Sequence, residues 1–171
     1  AAAKSFPPVL LIPSPLPPHK THANDLASAD DRAAMCRLVA ANDPLFVMDE
    51  LELHRNGPSY TIDTVRQRKQ RGEPAVSWLI GADMLRDLPS WHRANELLDE
   101  VNFVIVSRPG WKMDWSKLPP AFQSLQSHVV EAPLVDISAT DIRRRVRAGE
   151  SIDGLVPPSV ARYIAERGLY R

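Results

Sequence analysis

The sequence predicts a mostly parallel, doubly wound α/β sheet, on three observations. Short apolar runs alternate with amphipathic segments of helical period. Proline or glycine closes almost every one of these runs. Unusual polar sequence collects where the predicted strands end. The chain has 171 residues, with 44% hydrophobic and 25% charged side chains, which suits one globular domain spanning 1–171.

Taken in order, Val9-Leu10-Leu11-Ile12 reads as a buried strand stopped by Pro13. Four prolines within Pro13 to Pro18 then impose a stiff loop through His22. Asp30 to Ala41 places Met35, Leu38 and Val39 on one face of a helix, which Asn42-Asp43-Pro44 ends. Leu45 to Met48 is a second strand. Gly57-Pro58 marks a turn, and Ser59 or Thr61 is suited to cap a helix running to about Arg71. Val76 to Ile80 is a strand closed by Gly81, and Leu85 to Leu88 and Ala94 to Leu98 are short helices around Trp91. Val101 to Val106 is a further buried strand. Trp111 to Ser127 has no clean period and reads as an insertion with a short helix, packed by Trp111 and Trp115, while Trp78 belongs to the core. His128 to Glu131 is a weak strand. Ser138 or Thr140 opens a helix to about Ala148, and the last helix spans Pro157 to Arg167 with Gly168 just beyond it.

Composition narrows the function. Lys plus Arg and Asp plus Glu are both 21, so no overall positive field marks a nucleic-acid binder, and any bound anion must be held locally. No run of about 18 apolar residues is present, so no membrane-spanning helix is expected. The single cysteine, Cys36, sits in an apolar stretch as a structural thiol, excludes an internal disulfide framework and fits a cytoplasmic setting. His22, His54 and His128 complete no metal-ligand spacing, so no metal site built from side chains is expected. There is no Gly-x-Ser-x-Gly elbow for covalent hydrolysis.

In open parallel sheets, ligands bind beyond the carboxyl ends of the strands. Ile137-Ser138-Ala139-Thr140-Asp141-Ile142-Arg143 sets hydroxyls beside the free amides of a helix start and adds a guanidinium. That combination suits phosphate as well as it suits a capped surface helix. Pro17-Pro18-His19-Lys20 puts an imidazole and an ammonium on a stiff loop, which also suits simple solvation. In Gly81-Ala82-Asp83, glycine permits close backbone approach and the carboxylate suits ribose hydroxyls, or else caps the next helix. Trp91 is either core or a flat stacking surface.

These segments, in order, resemble the bacterial nicotinate-nucleotide adenylyltransferase family. The resemblance runs from Leu11-Ile12-Pro13-Ser14 through His19-Lys20, Arg55 to Thr61 with Thr64, Ile80 to Asp83, Leu88-Pro89-Ser90-Trp91, Arg108-Pro109-Gly110 and Ile137 to Arg143, to Gly168-Leu169-Tyr170-Arg171. It implies a Rossmann-like fold and adenylyl transfer from ATP to nicotinate mononucleotide. The nicotinate ring would stack on Trp91 in a pocket formed with Thr61 and Ile62. Its carboxylate would be read by the backbone amides of Ile62 and His92. Ser14, His19, Gly81 and Asp83 would lie near the mononucleotide, Lys20 near the phosphates, and Ser138, Thr140 and Arg143 on ATP. Mg²⁺ would be held mainly by the ATP phosphates. No nucleic-acid or membrane partner is implied, and self-association is left open.

Relatives of this kind open with a glycine-rich GGTFDPxHxGH segment whose histidines meet the ATP phosphates, and nothing in this chain matches it. The catalytic residues are therefore unassigned. About 25 to 35 residues, one strand-loop-helix unit, are expected to be missing, and the 171-residue chain alone is expected to be unstable and nearly inactive. Two alternatives stand beside the adenylyltransferase: a non-catalytic nucleotide-binding homologue, and a sister enzyme for another phosphorylated acceptor such as phosphopantetheine.

Overall fold

A computed structural model describes residues 8–15, 26–73, 75–108, 110–133 and 137–171. The chain forms two compact units, one from residues 1–59 with 137–171 and the other from residues 60–136.

The first unit holds strands β1 (Val9–Leu11) and β2 (Phe46–Met48), which pair in parallel with Val9 opposite Phe46. Parallel neighbours require a crossover, supplied here by helix α1 (Ala29–Asn42). The expectation of a buried first strand is corrected: Val9 is 37% exposed and Leu10 and Leu11 are half-buried. Two more helices follow the second unit in sequence, numbered below as α5 and α6.

In the second unit, helix α2 (Thr61–Gln70) leads to strand β3 (Ser77–Gly81). Two short 3₁₀ turns, Ala82–Arg86 and Leu88–Ser90, precede helix α3 (Ala94–Glu100) and strand β4 (Asn102–Ser107). Helix α4 (Pro120–Gln123), flanked by 3₁₀ turns, leads to strand β5 (Val129–Glu131). The order is β3-β4-β5, all parallel. Alternation along the strands sends Ile80, Phe103 and Ile105 to one face, where they pack with Ile62 and Val65 of α2, Leu97 of α3, and Leu85, Leu88 and Phe122. The other face carries Leu79, 60% exposed, and Val130, 54% exposed. The insertion after Gly110 is packed as expected, with Trp111 and Trp115 edge-on at 6.2 Å between ring centroids.

Helix α5 (Ala139–Arg147) and helix α6 (Pro158–Glu166) return to the first unit. Ile152, Val160 and Ile164 form its core, against which Met35, Leu38 and Val39 of α1 and Ile142 and Val146 of α5 pack. The predicted stripe of Met35, Leu38 and Val39 is therefore the face α1 turns to that core. Cys36 is half-buried, and burial pushes its thiol up from its ordinary value, as expected of a structural rather than nucleophilic cysteine.

A buried carboxylate ties α1 to α6. Ser28 caps α1 by accepting from the Asp31 amide at 3.0 Å, and its hydroxyl donates to Asp31 Oδ2 at 2.6 Å. Asp31 Oδ1 accepts from the Tyr163 hydroxyl at 2.8 Å and from Arg167 Nε at 3.2 Å. The Ser28 bond first, then those from Tyr163 and Arg167, hold this carboxyl below its ordinary value of 3.8. A carboxyl depressed on folding stabilises the folded chain above its ordinary value and loses that contribution as pH falls through the depressed one. Asp31→Asn is therefore expected to lower the melting temperature at neutral pH and to flatten its decline below about pH 4. Melts of both proteins across pH check this, and parallel acid limbs would refute it.

Candidate nucleotide-binding site

The carboxyl ends of β3, β4 and β5 open into a cleft of about 620 Å³, the size of a small-molecule site. Gly81 and Asp83 line it together with Ser107, Arg108 and Trp111. The Gly81 backbone is extended, so φ does not demand glycine there. A Cβ on it would meet Asp83 Oδ1, so the carboxylate lies folded directly over the glycine. Asp83 thus does not cap the turn that follows; Gly81 occupies the cap position without a side-chain bond. A smaller cavity of about 180 Å³ adjoins at Ala82, Asp83 and Trp111, with Arg86 and Lys112 at its rim.

A second cluster in the same unit joins the start of α2 to the segment after Leu88–Ser90. The expected caps of α2 are corrected: Tyr60 stands at the cap position, Thr61 is already helical, and the Ser59 hydroxyl is buried with no partner among the described residues. With no side chain capping it, α2 leaves the amides of Thr61 and Ile62 without an acceptor among the described residues, while those of Asp63 and Thr64 reach the Tyr60 carbonyl. The Ile62 side chain is fully buried in the core, so only its backbone is available to a ligand. Across from it, the Trp91 amide bonds the Leu88 carbonyl and that of Ala94 bonds Trp91, whereas the His92 amide finds no acceptor among the described residues. The Tyr60 and His92 rings stack with centroids 4.2 Å apart and planes at 27°. Trp91 is half-buried against the core beside them. Thr61, Ile62, Trp91 and His92 are therefore brought to one place by contacts that pair distant parts of the sequence.

The remaining predicted residues belong to the other unit. Ser138 caps α5, its Oγ accepting from the Asp141 amide at 3.1 Å, while Thr140 lies inside the first turn. The amides of Ala139 and Thr140 have no acceptor among the described residues, and both hydroxyl-bearing residues are exposed. Arg143 donates to Thr140 Oγ1 at 3.3 Å and makes no ion pair among the described residues. Its neighbours are occupied: Arg144 bonds Asp141 and Glu150, and Arg145 bonds Asp141. Asp141, bonded by Arg145 and then Arg144, is held below its ordinary value, so it stays ionised. Ser14 follows β1, its hydroxyl buried without a partner among the described residues. His19 and Lys20 lie outside the described residues.

The sequence did not single out Tyr60, Ser107, Arg108 or Trp111 as site residues. Arg108 stands in an Arg-Pro-Gly motif directly after a strand, which was the available signal. Trp111 is both packing for the insertion and a wall of the cleft.

The family described as Cytidylyltransferase-like matches residues 1–145. A protein of Yersinia pestis (strain Pestoides F) bearing the name nicotinate-nucleotide adenylyltransferase is 41% identical over 182 residues, covering 95% of this chain and 81% of its own. This chain belongs to the nicotinate-nucleotide adenylyltransferase family. A Geobacillus kaustophilus member is 42% identical over 163 residues, covering 95% of this chain and 71% of its own. Among solved structures, the nicotinic acid mononucleotide adenylyltransferase of Plasmodium falciparum complexed with NaAD superposes with a TM-score of 0.72 at 18% identity. It covers 95% of this chain and 82% of that one. The same enzyme complexed with APC gives 0.69. At that identity the likeness establishes the fold, which is the Rossmann-like α/β arrangement of this family.

Proposed function

We propose that this family member transfers the adenylyl group of ATP to nicotinate mononucleotide, giving deamido-NAD and pyrophosphate in NAD biosynthesis. The observation that carries this is that Thr61, Ile62 and His92, whose amides find no acceptor among the described residues, flank the Tyr60–His92 stack, with Trp91 next to it in the chain. Backbone N–H groups bind a carboxylate well, and a flat indole stacks on a flat heteroaromatic ring. Together they suit the nicotinate end of the acceptor rather than a flexible acceptor such as phosphopantetheine.

The mononucleotide's sugar and phosphate then extend into the cleft, where Asp83 accepts ribose hydroxyls. The start of α5 takes ATP phosphate: the amides of Ala139 and Thr140, the hydroxyls of Ser138 and Thr140, and the guanidinium of Arg143 are its donors. For Ser14, His19 and Lys20 a place near the substrates rests on the family resemblance alone. A phosphate oxygen of the mononucleotide attacks the α-phosphorus of ATP. The new O–P bond forms as the bond from that phosphorus to the α,β-bridging oxygen of ATP breaks, that oxygen leaving on pyrophosphate, with no covalent protein intermediate. These residues contribute position and charge, which is most of what such a displacement needs.

Mg²⁺ would be carried on the ATP phosphates, to which α5 offers amides, hydroxyls and a guanidinium. When bound, the ion supplies charge neutralisation on the departing pyrophosphate.

The deciding measurement is turnover by the full-length protein of ATP with nicotinate mononucleotide, with the amide mononucleotide and with phosphopantetheine, following pyrophosphate release. Preferential use of the nicotinate compound is expected. Preference for phosphopantetheine, or nucleotide binding without turnover of any acceptor, would refute the assignment.

A further inference from the structure

We propose that the His92 side chain is a positioning residue that fixes the carboxylate-reading amides, acting through its stack on Tyr60 rather than by touching the substrate. The inference rests on the functional assignment above and concerns how that site is held in shape.

The two segments that carry the free amides come from distant parts of the chain, and a pair of amides grips one carboxylate only if their separation is fixed. The segment around His92 has no regular structure to fix it. His92 lies between the turn at Leu88–Ser90 and α3, and the next residue, Arg93, adopts a left-handed conformation with φ 55°. That conformation is unfavourable for a residue with a Cβ and persists where neighbours enforce it. Two sets of contacts flank it. Farther along the chain, Arg93 and Arg66 both bond Glu96, whose carboxyl they hold down at about 2, and Arg66 and Lys69 bond Glu100. This ties α3 to the body of α2. Nearer the amides themselves, the tie is the His92 ring lying on Tyr60, the residue immediately before Thr61 and Ile62.

His92 is exposed and absent from the buried core, so nothing about packing demands an imidazole there. A residue needed only for its flat face should be replaceable by another flat residue. A residue that donates a proton or a hydrogen bond to substrate should not be.

The experiment is steady-state kinetics of the full-length protein as wild type, His92→Ala, His92→Phe, Tyr60→Leu and the His92→Ala/Tyr60→Leu double variant, varying nicotinate mononucleotide and ATP separately. His92→Ala is expected to raise the KM for the mononucleotide three- to tenfold, with the KM for ATP within twofold. His92→Phe should restore the wild-type value. Tyr60→Leu should reproduce the effect of His92→Ala, and the double variant should be no worse than either alone. A phenylalanine variant as impaired as the alanine one overturns the proposal, because the imidazole then acts on substrate directly. Additive single effects, or a His92→Ala enzyme indistinguishable from wild type, overturn it as well. A wild-type protein that turns over neither mononucleotide overturns the functional assignment and takes this inference with it.

Discussion

Trp91→Ala is expected to raise the KM for nicotinate mononucleotide on the order of 5- to 150-fold. That range follows from the ~1–3 kcal/mol that stacking a base on an aromatic side chain contributes. The KM for ATP should stay within about twofold, because the ATP contacts are assigned to α5 in the other compact unit. Trp91 is also half-buried against the core that contains Leu88 and Leu97, so truncation carries a packing cost that must be separated from the binding cost. Trp91→Phe does this. It keeps a flat ring and most of the buried volume, and should recover most of the lost affinity and all of the cooperative melt. Measuring both KM values and a thermal melt for the two variants distinguishes the cases. Equal increases in the two KM values would mean that the indole holds up the fold and does not hold the pyridine ring.

What the sequence made legible was the local chemistry, and what it hid was pairing across the chain. The strands and helices were readable because apolar period and proline or glycine stops are local signals, and Gly81-Ala82-Asp83 stood out because glycine before a carboxylate at a strand end is unusual. The structure adds that the Asp83 carboxylate lies back over the glycine. Tyr60 carries no local signal of a site role, because its partner His92 is far away in sequence and no local rule links two aromatic rings. The caps of α2 were misread for a related reason. Ser59 has the right side chain for a cap, but α2 starts one residue later with Tyr60 at the cap position, and the Ser59 hydroxyl is buried. At α5 the sequence offers Ser138 or Thr140, and Ser138 takes the cap through the amide three residues on. The openness of β1 was missed because an apolar run says that a strand prefers burial, not how much of it the surrounding chain covers.

Arg143 shows how far a local rule reaches when charge is involved. Helix α5 carries arginines at 143, 144, 145 and 147, and an arginine-rich helix is by default a solvated one. On a helix, residues three and four apart face each other and residues two apart do not. Asp141 therefore takes Arg144 and Arg145, as the structure has it, and among the described residues Arg143 bonds only the Thr140 hydroxyl. A guanidinium already paired with carboxylates has to give up those bonds to grip phosphate, whereas Arg143 has no such bond among the described residues. Arg143→Ala is therefore expected to lower kcat/KM for ATP on the order of 10- to 150-fold, from the ~1.5–3 kcal/mol of a hydrogen bond to a charged group. Arg144→Ala should change it by less than about threefold, in line with the small net worth of exposed ion pairs. Arg143→Lys should remain impaired, since an ammonium keeps the charge but loses the planar pair of donors. Kinetics of the three variants with ATP varied at saturating mononucleotide test this directly. Equal losses in the Arg143 and Arg144 variants would show that α5 acts on ATP through its summed positive charge, with no single arginine gripping the phosphate.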